Sequence, residues 1–140
     1  MTKRYMLDTN IVSQLLRQHA QVLGRVLATP MESLCISSIT EGELLFGLAN
    51  NPVNLKLKQA VQELLRRVDS IPWDSLAAQK YGTVRAQMHR QGKGIGNLDL
   101  LIAAHAMAID AILVTNDQAM SQVPDVKIED WTNKPVQLPH

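Results

Sequence analysis

The sequence is poor in several residue types, and each scarcity excludes a class of protein. A single cysteine, Cys35, leaves no disulfide framework and no cysteine-rich zinc site. Phe, Trp and Tyr together make up 4% of the residues, which is too few for a platform on which nucleic-acid bases stack. The 14 basic and 13 acidic residues give a net charge of +1. The chain as a whole is therefore not a polybasic nucleic-acid binder, although this balance allows a local basic patch.

Long apolar segments are missing as well. No run reaches the roughly 18 consecutive apolar residues of a membrane-spanning helix. The basic residues near the start, Lys3 and Arg4, are not followed by a long apolar stretch, so we expect no signal peptide and a cytoplasmic protein. With 140 residues, 46% of them hydrophobic, the chain has the size and composition of one domain with a substantial core.

Short apolar runs alternate with amphipathic segments along the chain. The runs predict strands at residues 4–7, 34–36, 71–73, 111–114 and 126–128. A helical period of apolar residues covers 12–26, 38–49, 57–68, 75–88 and 97–109. Strands that alternate with helices predict an α/β sandwich around a mainly parallel sheet. Cys35 falls in the second run, where we expect it to be a buried strand residue.

Several residues have the patterns that begin helices. The segment from Ser38 to Glu41 has the S-x-x-E pattern of a capping box. Asp74 or Ser75 is expected to cap the fourth helical segment, and Asn97 the last one.

Two segments have the composition of loops. Three glycines between residues 92 and 96 require that loop to turn sharply or to pass close to another group. Residues 133–140 contain two prolines and are expected to form a loose tail, which leaves residues 1–132 as the domain.

Four acidic residues lie at positions where a carboxylate can indicate a functional site. Asp8 and Asp117 each follow a predicted strand directly, and in open α/β sheets ligands bind at the carboxyl ends of the strands. Glu43 lies within a predicted helix beside apolar residues, where a carboxylate is costly unless it is paired or bound to a metal. Asp99 stands in the first turn of its helix, just before a very apolar stretch. Capping or turn formation explains each acid by itself, but the four together predict one site.

The chemistry of four clustered carboxylates indicates a divalent metal. Such groups repel one another and become partly protonated unless a cation lies among them. Their hard oxygen atoms suit Mg²⁺ or Mn²⁺, whereas the four histidines are scattered and lack zinc-type spacing. A two-metal carboxylate site activates water and stabilises both oxygens of an in-line phosphodiester displacement. The acids therefore indicate phosphoryl chemistry without specifying a substrate.

Six motifs follow one another along nearly the whole chain. They are Met6-Leu7-Asp8-Thr9-Asn10; Ile36-Ser37-Ser38-Ile39-Thr40 with Glu43-Leu44 and Gly47; Arg85 before the segment from Gly92 to Gly96; Asp99-Leu100-Leu101-Ile102-Ala103-Ala104-His105-Ala106; Leu113-Val114-Thr115-Asn116-Asp117; and Ile128-Glu129-Asp130-Trp131. In this order and spacing they resemble the PIN-domain ribonucleases, in particular the VapC toxins of bacterial toxin–antitoxin pairs.

The resemblance implies a PIN-like three-layer sandwich and an endoribonuclease that depends on Mg²⁺ or Mn²⁺ and acts as a toxin. It assigns Asp8, Glu43 and Asp99 as the three main catalytic and metal-binding acids, and Asp117 as the fourth, where relatives often have Asn. The Glu-Asp-Trp sequence near the end resembles the enteric branch that cuts initiator tRNA (tRNA-fMet) in the anticodon loop. It also implies inhibition by a cognate VapB antitoxin and assembly as a homodimer.

Other polar residues near the acids are candidates for supporting roles. They would orient the acids directly or through water, although capping and turn formation explain them equally well. These residues are Thr9, Asn10, Ser38, Thr115 and Asn116.

Basic residues before the glycine-rich loop are candidates for RNA contact. Arg85 is expected to bind phosphate at the rim of the site. His89, Arg90 and Lys93 are weaker candidates, because a solvated helix face explains them as well. His105 is expected to pack or hydrogen-bond within its own helix.

Three other functions remain open from the sequence. An aspartyl-phosphate phosphatase also places Asp after its first strand but usually needs a second Asp two residues later, where this chain has Asn10. A receiver-type signalling domain needs an acidic pair near the first strand and a lysine after the last core strand, and residues 115–117 offer no lysine. A non-catalytic partner that only binds its antitoxin and assists DNA binding would not need all four acids.

Overall fold

A computed structural model describes residues 3–133. Within this range five strands form one parallel sheet in the order β3-β2-β1-β4-β5, with β1 (Tyr5–Leu7), β2 (Leu34–Ser37), β3 (Asp69–Ile71), β4 (Ile112–Val114) and β5 (Ile128–Glu129). The predicted α/β fold with a mainly parallel sheet is therefore confirmed. Apart from Asn133, the predicted tail lies outside the described residues.

Six helices cover the two faces of this sheet in the described range. They are α1 (Thr9–Leu16), α2 (Ala20–Ala28), α3 (Ser38–Asn50), α4 (Leu55–Arg67), α5 (Ser75–Arg90) and α6 (Asn97–Ala108), and short 3-10 helices occupy Met31–Ser33 and Gln118–Gln122. None of the helices in residues 3–133 has the length and apolar character needed to cross a membrane.

Alternating strand residues divide the core into two apolar layers. Leu7 packs on the side of α1 to α4, whereas its neighbour Met6 packs on the side of α5 and α6, because successive side chains of a strand point to opposite faces. Cys35 of β2 is fully buried in the second layer, which confirms the prediction made for it. The sheet between two helical layers is the predicted three-layer sandwich.

Several predicted boundaries were wrong by a few residues. The helical period over 12–26 is divided into α1 and α2, and Gln18 between them adopts a left-handed φ of 61°. The third strand lies at 69–71 instead of 71–73, since Ile71 pairs with Ser37 at the end of β2. The last strand begins at Ile128 instead of residue 126.

The capping box predicted at Ser38 was also wrong. The residue that caps α3 is Ser37, whose Oγ accepts the backbone N–H of Ile39 at 3.1 Å. Ser38 Oγ instead accepts the backbone N–H of Trp73 at 3.0 Å, and Glu41 accepts a hydrogen bond from Ser70. Both side chains of the expected capping box thus contact the β3–α5 region.

The other two predicted caps had different outcomes. Asp74 caps α5 by accepting the N–H of Ala77 at 3.1 Å. It is one of the two residues predicted to cap this helix. Asn97 does not cap α6: it is the first helical residue, and Gly96 precedes it without a side-chain hydrogen bond.

Candidate active site

The strand order reverses between β1 and β4, and this switch point holds two of the four acids. The ladder between these strands continues past β1, because the backbone N–H of Asp8 donates to the carbonyl of Val114 at 3.1 Å. Asp8 therefore lies beside Thr115 at the carboxyl ends of neighbouring strands. Crevices at such switch points are where open α/β sheets bind ligands.

Asp8 is the most buried of the four acids, with 3% of its surface exposed. It caps α1, and its Oδ1 accepts the N–H of Ile11 at 2.9 Å. Burial raises the pKa of Asp8 from 3.8 to about 6, against the lowering effect of hydrogen bonds from Thr115 and Ile11. The negative charges of Asp99 and Asp117 raise this pKa further. A buried carboxylate next to other carboxylates is a strong candidate for a functional group.

Asp99 is half-buried in the first turn of α6. A Cβ atom at Gly96 would lie 3.3 Å from its Oδ2 atom, so the glycine allows the carboxylate to lie close against the backbone before the helix. Burial raises the pKa of Asp99, and the charges of Asp117 and Glu43 add to this effect. The predicted close approach in the glycine-rich loop thus occurs at Gly96, while Gly92 supplies a turn with φ of 68°.

Glu43 completes an acidic cleft with Asp8 and Asp99. It is half-buried on α3, and the three carboxylates line one cavity of about 480 Å³. The other residues that line this cavity are Thr9, Asn10, Gly96, Asn97, Leu98 and Ile102. We call this cavity the acidic cleft. It brings together residues from the start of α1, from α3 and from α6 that are far apart in the sequence.

Asp117 lies in a depression next to the acidic cleft. Its Oδ1 accepts the N–H of Ala119 at 2.9 Å, and its own N–H donates to Thr115 Oγ1 at 3.0 Å. Asn116 and Asp130 line the same depression. Since the charge of Asp117 raises the pKa of both Asp8 and Asp99, the fourth acid belongs to the same electrostatic cluster.

The donor atoms of this cluster suit a hard divalent cation, which prefers carboxylate oxygen. Burial is the main cause of the raised pKa values of Asp8 and Asp99, and the negative charges of the neighbouring carboxylates add to it. A cation among these groups would remove that repulsion. In the conformation described for residues 3–133, no three His, Cys, Asp or Glu side chains are close enough to hold one ion. Binding a metal would therefore require these side chains to turn toward it.

The predicted supporting residues differ in what they contact. Thr115 lowers the pKa of Asp8, and its Oγ1 accepts the backbone N–H of Asp117, so it acts on two of the acids. Asn10 lines the acidic cleft, and Asn116 is exposed in the depression of Asp117. Thr9 also lines the cleft and pairs with the hydroxyl of Thr40 at 3.2 Å. Ser38 bonds Trp73 and is not among the residues that line the cleft.

Arg85 lies in a second, basic pocket that adjoins the acidic cleft. This pocket of about 120 Å³ is also lined by His89 and Lys93, and it shares Asn97 with the cleft. The Nη1 atom of Arg85 donates to the hydroxyl of Tyr81 at 3.0 Å, and its guanidinium lies over the Tyr81 ring. The basic group is thus held on α5 at the edge of the cleft.

The prediction for His105 was confirmed for its packing, but its hydrogen bond is made outside its own helix. Its ring is fully buried, and its Nδ1 atom lies 2.8 Å from the Oγ of Ser37, the residue that caps α3. The partner is 68 positions away in the sequence, so no local pattern could have indicated it. The hydrogen bond between His105 and Ser37 is therefore a polar contact near the site that the sequence analysis does not predict.

A three-layer α/β sandwich with clustered carboxylates at its switch point is a site suited to phosphoryl transfer. The PIN domain family matches residues 5–126. The tRNA(fMet)-specific endonuclease VapC of Shigella flexneri is 30% identical over 130 residues, which cover 92% of this chain and 98% of that protein. Ribonuclease VapC2 of Rickettsia felis is 32% identical over 130 residues, with coverage of 91% and 97%.

Solved structures that are similar to this chain also belong to VapBC complexes. The DNA-bound VapBC complex from Salmonella typhimurium contains a chain with a TM-score of 0.86 and 30% identity, with coverage of 93% of this chain and 99% of that one. VapBC2 from Rickettsia felis, bound to a DNA fragment from its promoter, gives a TM-score of 0.82 and 32% identity, with coverage of 91% and 98%. The chain belongs to the PIN-domain family and, within it, to the VapC ribonucleases.

Proposed function

We propose that this protein is the toxin of a VapBC-type pair, an endoribonuclease that uses Mg²⁺ or Mn²⁺ to cut initiator tRNA in its anticodon loop and so blocks translation. The observation that carries the proposal is the acidic cleft of Asp8, Glu43 and Asp99, in a chain whose relatives include tRNA(fMet)-specific endonucleases. An initiator tRNA substrate would make the cytoplasm its place of action.

The residues of the cleft would hold the metal and orient it against the RNA. Asp8 is fixed by the Ile11 N–H. Above its pKa of about 6 the carboxylate is ionised, which is the form that would bind a cation. Glu43 and Asp99, which line the same cleft, would supply further carboxylate oxygens, and Asp117 would hold the cation from the neighbouring depression. When bound, the metal would activate water and stabilise charge on the scissile phosphate.

Neutral and basic groups beside the acids would position the RNA. The exposed amides of Asn10 and Asn97 lie in the cleft wall and can hydrogen-bond phosphate or ribose oxygens. The pocket of Arg85, His89 and Lys93 adjoins this wall through Asn97, so a phosphate next to the scissile one would meet a positive charge there. With a net charge of +1, the protein would rely on these few contacts and on the shape of the RNA for selectivity.

A groove beside the cleft offers a surface for the antitoxin. Helices α1, α3 and α4 enclose an apolar groove of about 310 Å³, lined by Leu16, Leu44, Leu57 and Val61 together with Glu43. Phe46 of the same α3 helix is 65% exposed. Since Glu43 lines both the groove and the acidic cleft, a VapB-type antitoxin in the groove would reach the active site and inhibit it. A homodimer of this chain remains an expectation from the resemblance.

Cleavage of purified RNA with controlled metal tests the proposal. Total tRNA and initiator tRNA transcripts are incubated with the protein in Mn²⁺, in EDTA, and in EDTA followed by excess Mn²⁺. We expect cleavage of initiator tRNA only when free Mn²⁺ is present. Cleavage that persists in EDTA contradicts the metal dependence, and intact RNA in every condition contradicts the nuclease. Loss of phosphate from an acyl-phosphate substrate would instead support a phosphatase.

Conservative variants connect this activity to the cleft. Glu43→Gln and Asp99→Asn should keep the circular dichroism spectrum of the wild type and lose more activity than the roughly 10–100-fold that loss of an outer partner costs. Glu63→Gln is the matched control, because Glu63 pairs with Arg66 and Arg67 on the exposed face of α4. Full activity of either cleft variant at matched metal concentration would remove that residue from the site.

A further inference from the structure

Two helices carry acids of the cleft, and a buried polar contact joins the N-cap of α3 to a residue in the second half of α6. His105 on α6 and Ser37, the cap of α3, are both fully buried, and the Nδ1 and Oγ atoms are 2.8 Å apart. Their buried neighbours along the chain, Ile36, Ala104 and Ala106, are apolar, although the charge of Asp74 and the carbonyl of Pro72 also act on His105. A polar pair in such surroundings is costly unless its hydrogen bond is made, so it fixes the geometry of the elements it connects.

Helix geometry gives the distance of each acid, Glu43 or Asp99, from the hydrogen bond between His105 and Ser37. Glu43 follows Ser37 by six residues, and Asp99 precedes His105 by six residues. At 1.5 Å per residue, each acid lies about 9 Å along its helix from the contact. The charge of Glu43 acts on Asp99, so both acids lie on the same side of the hydrogen bond, as they would if the two helices ran in roughly opposite directions.

Trp73 provides a second connection between the same two helices. Its backbone N–H donates to Ser38 Oγ at 3.0 Å, in the first turn of α3. Its indole N–H donates to the carbonyl of Leu101 at 3.0 Å, two residues after Asp99 in α6. The residue therefore bridges α3 and α6 by two hydrogen bonds.

We infer that His105 is a positioning residue for the acidic cleft: through Ser37, and together with the Trp73 bridge, it sets the separation of α3 and α6 and thereby of Glu43 and Asp99. The inference rests on the proposed function, since it explains how two carboxylates that repel each other are kept near enough to share a metal site. Without the contact, only the Trp73 bridge would hold α3 and α6 at the separation that places Glu43 and Asp99 in one cleft.

The protonation state of His105 fits this role. Burial lowers the pKa of His105, although Asp74 and the carbonyl of Pro72 raise it, so the ring is neutral at neutral pH. Ser37 Oγ already accepts the N–H of Ile39, and its hydroxyl hydrogen is free to be donated to Nδ1. We therefore expect Nδ1 to accept the hydroxyl hydrogen of Ser37, so that this hydrogen bond depends on a neutral ring.

The test compares His105→Leu with His105→Asn. Leucine fills similar space without a polar atom, whereas the amide of asparagine places a hydrogen-bonding atom near the position of Nδ1. We expect His105→Leu to weaken Mn²⁺ binding, measured by calorimetric titration of the folded protein, about 10-fold. It should also lower kcat without raising KM for RNA, because the RNA-binding groups are unchanged. His105→Asn should restore most of both losses, and Trp73→Phe should show a smaller loss in the same direction.

Val84→Ala is the control for a general loss of packing, since Val84 is buried in the same apolar layer and makes neither connection. It should lower thermal stability while Mn²⁺ affinity is kept. Wild-type Mn²⁺ affinity in folded His105→Leu, or equal impairment of the Leu and Asn variants, would overturn the inference. If His105→Leu does not fold, Trp73→Phe decides by the same titration. If the wild type does not cut RNA, the proposed function fails, yet the Mn²⁺ titration still tests the positioning role.

Discussion

Replacing Asp8 by asparagine should make the metal-free protein more stable at neutral pH. Burial holds the pKa of Asp8 at about 6, against 3.8 for an ordinary aspartate. The difference of about two units corresponds to roughly 3 kcal/mol by which the ionised carboxylate destabilises the fold above pH 6. Asparagine carries no charge and can still cap α1 by accepting the Ile11 N–H, so most of this cost should disappear.

The sign of the effect depends on pH. Between pH 3.8 and about 6 the folded protein holds its proton on Asp8 more tightly than the unfolded chain does. The free energy of unfolding therefore falls as the pH rises through this window, and it stays low above it. The gain from Asp8→Asn should be close to its full value at pH 8 and nearly vanish at pH 4.

Thermal and denaturant unfolding in EDTA measure this gain. At roughly 3–5 °C per kcal/mol for a chain of this length, we expect Tm to rise by about 10 °C at pH 8. Asp74→Asn is the matched control, because Asp74 caps α5 at an exposed position; it should change stability by no more than about 0.5 kcal/mol. Saturating Mn²⁺ should stabilise the wild type and not Asp8→Asn. A variant no more stable than the wild type at pH 8 in EDTA would refute the reasoning.

Three further substitutions have expected outcomes. Asp117→Asn should keep measurable cleavage that rises with added Mn²⁺, because Asp117 lies in the depression beside the cleft; inactivity at every Mn²⁺ concentration would make it as central as the other acids. Arg85→Ala should raise KM for RNA and reduce the slope of log affinity against log salt by about one unit without moving the cut, whereas an unchanged slope would exclude a phosphate contact. Trp131→Phe should cost about 1–2 kcal/mol in urea unfolding, because it removes the indole bond to Glu129 at 2.9 Å and weakens the stacking of Arg25 over the ring; unchanged stability would show that neither contact matters.

The location of the acids that follow strands could be predicted from the sequence, because ligands bind at the carboxyl ends of strands in open α/β sheets. Asp8 and Asp117 follow apolar runs, and the carboxyl ends of parallel strands meet at one edge of a sheet. The structure brings both together with Glu43 and Asp99 in one electrostatic cluster. Their proximity is thus visible, whereas their catalytic and metal-binding roles stay predictions for the variants to test.

Contacts between distant segments could not be placed in this way. The capping box failed because β2 extends to Ser37 to pair with Ile71, which makes Ser37 the cap and leaves Ser38 free to bind Trp73. His105 was assigned to its own helix because its true partner is 68 positions away. In both cases the packing of α3 against β3 and α6 determines which residues are hydrogen-bonded. The local sequence pattern does not predict this packing.

The central claim is that the acidic cleft cuts initiator tRNA, and sequencing of RNA 5′ ends tests it most directly. Cells that express the wild type are compared with cells that express Glu43→Gln to the same level. We expect new 5′ ends concentrated in the anticodon loop of initiator tRNA, present with the wild type and absent with Glu43→Gln. Cuts spread over many messengers or located in ribosomal RNA would contradict the tRNA assignment, and identical ends in both strains would contradict the cleft itself.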